Sequence, residues 1–146
     1  VLLLVRLLHA ADGGAAFEVE LLAALVDDVG LPAGLRGGGF DLRGLGVKST
    51  PVNVLNAIPG TPYENLPKLT NDEFCRIVAI YRFINPKAFI RLAGGRGVLG
   101  DDGKRAFQSG ANAAITDDML TTAGVNSCKD FELVKGLGFE PHGFIG

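Results

Sequence analysis

From residue 40 onward the apolar and polar positions switch between two periods. Residues 47–55 read as a buried strand: Thr50 and Val52 are β-branched, Val52 and Val54 are apolar, and Gly46 marks the start. Residues 41–45 before it read as the last turn of a helix that Gly46 stops. The loop that follows carries Pro59, Pro62 and Pro67. Thr70-Asn71-Asp72-Glu73 then has the form of a capping box and predicts a helix to about Ile84. Phe74, Ile77, Val78 and Tyr81 form its inward stripe, with Arg76 and Arg82 outside, and Asn85-Pro86 ends it. A second strand is predicted over 88–93, with Phe89, Arg91 and Ala93 on one face and Ala88, Ile90 and Leu92 on the other. A short helix over 101–109 starts with acidic residues, which favour the helix dipole. A third strand, 111–116, is rich in small residues. The last helix, 127–137, has Asn126 or Ser127 as its N-cap, buries Phe131, Val134 and Leu137, and stops at Gly138.

Alternating helices and strands mean an α/β fold, with parallel strands joined by right-handed crossovers. The spacing fits consecutive βα units. A full eight-stranded barrel takes ~250 residues, so the expectation is the C-terminal part of a TIM-type (β/α) barrel, parallel strands alternating with helices. Residues 1–40 are expected to be irregular or helical. A helical period runs over 17–28, loop chemistry follows from 31, and His9 beside an apolar run is incidental. The chain thus divides into an unmatched segment, 1–40, and a barrel-like part, 41–146. The change of composition at about Phe40 raises the expectation that the front end reflects a reading-frame error or a truncated gene start.

Composition narrows the classes. A chain of 146 residues is the size of one ordinary domain, and a net charge of −2 gives no case for nucleic acid or an anionic membrane. The opening VLLLVRLL is too short to span a bilayer, contains Arg6 and lacks the flanks of a signal peptide. Cys75 and Cys128 make no CxxC or Cys/His cluster, so neither a disulfide framework nor a metal site is signalled, and a reducing cytoplasmic setting is the expectation.

Few residues carry candidate chemistry. Asn53 is the lone amide in its strand, and a polar residue near the end of a barrel strand is where such folds hold ligands. The alternative is that Asn53 pairs only with neighbouring backbone. Arg91 sits in the middle of an apolar strand, where a charge is expensive unless it is paired or coordinates something. The alternative there is an ion pair with a carboxylate from another strand. Gly94-Gly95-Arg96-Gly97 is either a tight turn or a loop whose amides face an anion. Thr121 and Thr122 offer adjacent hydroxyls to a carboxylate, or act as ordinary caps. Cys75 reads as a packing residue, and Cys128 as an exposed or capping position in the first turn of the last helix.

Three runs carry a resemblance: VNVLNAIPGTP at 52–62, NPKAFIRLAGGRG at 85–97 and SGANAAITDDMLTTAG at 109–124. In order and spacing they resemble the C-terminal half of the biotin synthase family, over about residues 42–140. That family is a radical S-adenosylmethionine sulfurtransferase on a TIM-type barrel. The resemblance implies sulfur insertion into dethiobiotin to form biotin, with S-adenosylmethionine, a 4Fe–4S cluster on a C-x3-C-x2-C motif, and a sulfur-supplying 2Fe–2S cluster held by three cysteines and one arginine. Arg91 matches that arginine. Asn53 matches an asparagine near the substrate ring and the nucleoside, and Thr121 and Thr122 match the hydroxyls near the substrate carboxylate. It also implies sulfur and electron donors as partners, and a homodimer for the full-length family. The C-x3-C-x2-C motif and the three cysteine ligands are absent, so this polypeptide alone is expected to be inactive. Two alternatives stand beside it. One is a non-catalytic half-barrel that associates through the exposed edge at 47–55. The other is a related radical enzyme of thiamine synthesis or hydrogenase maturation, against which AIPGTP and FIRLAGGRG argue.

Overall fold

A computed structural model describes residues 2–6, 33–118 and 124–145. The elements run β1 (Leu2–Arg6), α1 (Ala33–Gly44), β2 (Ser49–Val52), α2 (Asn71–Ile84), β3 (Phe89–Leu92), a 3-10 turn (Arg96–Leu99), α3 (Lys104–Gln108), β4 (Ala113–Ile115), α4 (Ser127–Gly136) and β5 (Glu140–Ile145). The expected helix at 17–28, His9, Thr121 and Thr122 lie outside the described residues.

The capping box forms as read. Glu73 donates its backbone N–H to Thr70 Oγ1, and the Glu73 carboxylate accepts the Thr70 N–H at 2.8 Å. The inward side of α2 is Phe74, Cys75, Ile77, Val78, Ile80 and Ile84. Gly46 ends the stretch after α1 with φ +66°, a conformation glycine adopts without a Cβ penalty. Asn126 caps α4 by accepting the Cys128 N–H. At α3 the two acidic residues lie just outside the helix: Asp101 accepts the N–H groups of Gly103 and Arg105, which satisfies orphan donors of the first turn.

Arg82 departs from the expectation of an outward side chain. It is half-buried and donates to the carbonyls of Asn85, Pro86, Ala88 and Gly110. A guanidinium carries five donors in a fixed fork, enough to collect the loose carbonyls of the loops at that end of the sheet. Burial pulls its pKa down.

The strands make one sheet in the order β2-β3-β4-β1-β5. β2, β3 and β4 are parallel, as the alternation predicts, with Pro51 opposite Arg91 and Arg91 opposite Ala113. The sheet is not wholly parallel, however, because β1 pairs antiparallel with both β4 and β5. Residues 2–6 therefore form a strand within a segment read as irregular or helical, and β5 adds a strand beyond the last predicted helix. The described residues form an open sheet rather than a closed barrel. β2 is shorter than the predicted 47–55. Pro51 removes one N–H from the ladder, which is tolerated because β2 lies at the sheet edge.

One face of β2–β4 presents buried Thr50, Ile90, Leu92 and Ala114, and the last three cluster with Phe74 and Val78 of α2, Ala106 and Phe107 of α3, and Val134 of α4. Fully burying a side chain such as Ile90 or Leu92 is worth about 1.5–3 kcal/mol. α1 packs on α2 through a second, smaller cluster, in which Phe40 lies against Ile80 and Ile84, and Asn85 donates to the Gly39 carbonyl. No helix among the described residues is long and apolar enough to cross a membrane.

Candidate functional site

Side chains alternate across a strand, so the face opposite the helices carries Pro51, Phe89, Arg91 and, just past β2, Asn53. Exposure on this face is uneven, and Ala93 and Ala113 on it are buried. Pro51 and Asn53 are exposed, Phe89 is 38% exposed and Arg91 is half-buried. The loop beyond β2 adds exposed Leu55, Ile58, Tyr63 and Leu66.

Asn53 is held by one bond. Its Oδ1 accepts the Gly94 N–H at 2.8 Å, which fulfils the backbone-pairing alternative for the oxygen. The carboxamide N–H2 has no partner among the described residues and remains a donor on the open face. The main chain reinforces the contact. Val54 N–H donates to Gly94 O at 2.8 Å, and Ala93 N–H donates to Val52 O at 3.1 Å. Gly95, at φ +76°, lies so close to β2 that a Cβ there would come within 1.9 Å of the Val54 carbonyl oxygen. Only glycine fits.

Arg91 has no ion pair among the described residues, so the carboxylate alternative is not realised. Its Nε is buried and without a hydrogen-bond partner. A desolvated guanidinium donor left unpaired is costly. Opposite it in register, Ala113 takes little room. Arg91 and Asn53 together make a donor-rich patch at the C-terminal ends of parallel strands. Such a patch suits an anionic or acceptor-rich group.

The Gly94–Gly97 segment forms a turn that runs into the 3-10 turn. Arg96 Nη2 donates to Asp130 Oδ2 at 2.5 Å, and the side chains are 4% and 0% exposed. Burial pushes the Asp130 carboxyl up from its ordinary range, although the Arg96 guanidinium pulls the other way. None of the sequence motifs points to this pair. Its signal was Asp130 four residues before buried Val134, which places a carboxylate on the inward stripe of α4.

Neither cysteine approaches the patch from a strand. Cys75 is buried on α2 and donates its Sγ to Asn71 Oδ1, and Cys128 is exposed in the first turn of α4. No group of three or more His, Cys, Asp or Glu able to hold a metal ion occurs among the described residues. An iron–sulfur cluster needs thiolate ligands, and the two cysteines of the sequence stand on separate helices. The donor set therefore does not fit a cluster held by this chain. Arg91 alone fits as a single contact to one.

Comparison with known proteins gives a consistent family. The model of the Biotin and Thiamin Synthesis associated domain matches residues 51–140. The chain is 62% identical over 101 residues to a biotin synthase of Brachyspira hyodysenteriae, covering 69% of this chain and 30% of that protein. It is 61% identical over 97 residues to biotin synthase 2 of Corynebacterium diphtheriae, covering 66% and 29%. It is 52% identical over 101 residues to a biotin synthase of Akkermansia muciniphila, covering 69% and 32%. The chain spans about a third of the length of these curated relatives.

Proposed function

The chain belongs to the Biotin and Thiamin Synthesis associated domain family, and on that premise we propose that it supplies the C-terminal βα units of a biotin synthase, a radical S-adenosylmethionine enzyme that inserts sulfur into dethiobiotin. Residues 41–146 form the part that serves this function. Asn53, Thr121 and Thr122 contact the substrate or the nucleoside. Arg91 contacts the 2Fe–2S cluster, whose thiolates, like those of the 4Fe–4S cluster, come from polypeptide other than this sequence. The observation that carries the reading is Arg91: a partly desolvated guanidinium with an orphan Nε, on the sheet face opposite helices α2, α3 and α4. A buried donor of that kind requires a partner, and a negatively charged group arriving on the open face provides one. Sulfur and electron donors and a homodimeric assembly belong to the same proposal.

By this reading the chain alone is inactive. Anaerobic incubation of the chain with iron and sulfide, followed by visible absorption spectroscopy and a biotin assay, tests it. The expected result is no stable cluster and no biotin. Two stable clusters with biotin formation would overturn the claim that the ligands lie elsewhere.

The edge position of β2 and the exposed Leu55, Ile58, Tyr63 and Leu66 favour a second reading, a non-catalytic half-barrel that associates with another polypeptide through the edge at 47–55.

A further inference from the structure

Three consecutive residues after β3 are fixed from two directions. On the β2 side, Gly94 donates its N–H to Asn53 Oδ1 and accepts the Val54 N–H, both at 2.8 Å. Gly95 rests against the Val54 carbonyl. On the α4 side, Arg96 reaches into the interior and pairs with Asp130 at 2.5 Å. The Arg96 stem runs beneath Gly103, where a Cβ would come within 2.9 Å of Arg96 Cδ. The turn that holds Asn53 is therefore itself held by a buried ion pair on the opposite side.

Stability does not account for that pair. Arg96 Nη1 and Asp130 Oδ1 are buried without hydrogen-bond partners among the described residues, so two polar atoms are desolvated and uncompensated. Well-packed apolar side chains in place of a buried pair are often neutral or stabilising. What an arginine–carboxylate contact adds is direction, because the guanidinium fork is planar and its donors are fixed.

We propose that the Arg96–Asp130 pair is a positioning device: it sets the Gly94–Gly95 turn, and through Gly94 it aims the Asn53 carboxamide, oxygen tied back and N–H2 toward the open face. Arg96 and Asp130 are positioning residues, and the role rests on the reading above that Asn53 contacts a ligand. The test uses the whole chain, labelled with 15N. The double variant R96M/D130L replaces the pair by apolar side chains of similar size. Its melting temperature is expected to match or exceed the parent's. The Asn53 side-chain N–H2 signals are expected to shift or broaden, and Gly94 N–H exchange is expected to accelerate by at least about tenfold while Val78 stays protected. Unchanged Asn53 signals and unchanged Gly94 exchange would overturn the proposal. If the double variant does not fold, R96K provides the same test. Lysine keeps the charge but loses the fork, so displaced Asn53 signals support the positioning role and unmoved ones contradict it. Both readouts need no cofactor or substrate. A negative result therefore removes the positioning role and leaves the sulfur-insertion reading to its own assay.

Discussion

At the scale of single residues, the chemistry divides between charges the chain leaves open and charges it buries in pairs. Arg91 was legible from sequence because a guanidinium inside FIRL breaks an otherwise apolar strand. Its surroundings were not legible, since whether a carboxylate meets it depends on which strands become neighbours. Asp130 was missed because a single acid in an amphipathic helix looks like surface until its partner is placed, and Arg96 lies 34 residues away. The pair makes a pH prediction. Burial raises the Asp130 pKa above its ordinary 3.8, so in the window just above 3.8 the folded state binds more protons than the unfolded state. Stability from this group is then fully present below 3.8 and falls as pH rises through the folded value. Urea denaturation of the parent and Asp130→Asn across that window should show their stability difference shrinking with rising pH. A difference that grows with pH would mean the Arg96 attraction outweighs burial.

At the scale of elements, local signals are legible in the sequence and long-range pairing is not. α2 was written into the sequence by Thr70 and Glu73, whose reciprocal bonds form within four consecutive residues. Replacing Thr70 by alanine should cost about 1 kcal/mol of folding stability, read as a lower urea midpoint with an unchanged slope. The order of β2, α2, β3, α3, β4 and α4 was also legible, because the apolar period changes at each Gly, Pro or capping residue. β1 and β5 were not. Glu140–Ile145 contains Pro141 and Gly143, poor strand formers, and its strand character comes from pairing with Leu2–Arg6 at the far end of the chain. No local pattern encodes a partner more than a hundred residues away. The ends of β2 were overestimated for a related reason: Val54 continues the main-chain pairing toward Gly94 but lies beyond the strand itself.

At the scale of the whole molecule, the two faces of the sheet differ among the described residues. Helices α2, α3 and α4 cover Ile90, Leu92 and Ala114, whereas Asn53, Arg91 and Phe89 face outward with exposed apolar side chains in the neighbouring loop. The chain also spans only about 30% of the Brachyspira biotin synthase it matches at 62% identity. The function proposed above accommodates both: a site assembled with further polypeptide, to which this chain contributes strand ends and a guanidinium and other polypeptide the thiolates. The most direct test is to produce this chain anaerobically together with the part of the Brachyspira enzyme that it does not match, and to measure biotin formed from dethiobiotin. The account predicts biotin when both polypeptides are present and none from this chain alone. Biotin from this chain alone, or none from the pair when the partner polypeptide carries its iron–sulfur clusters, would contradict it.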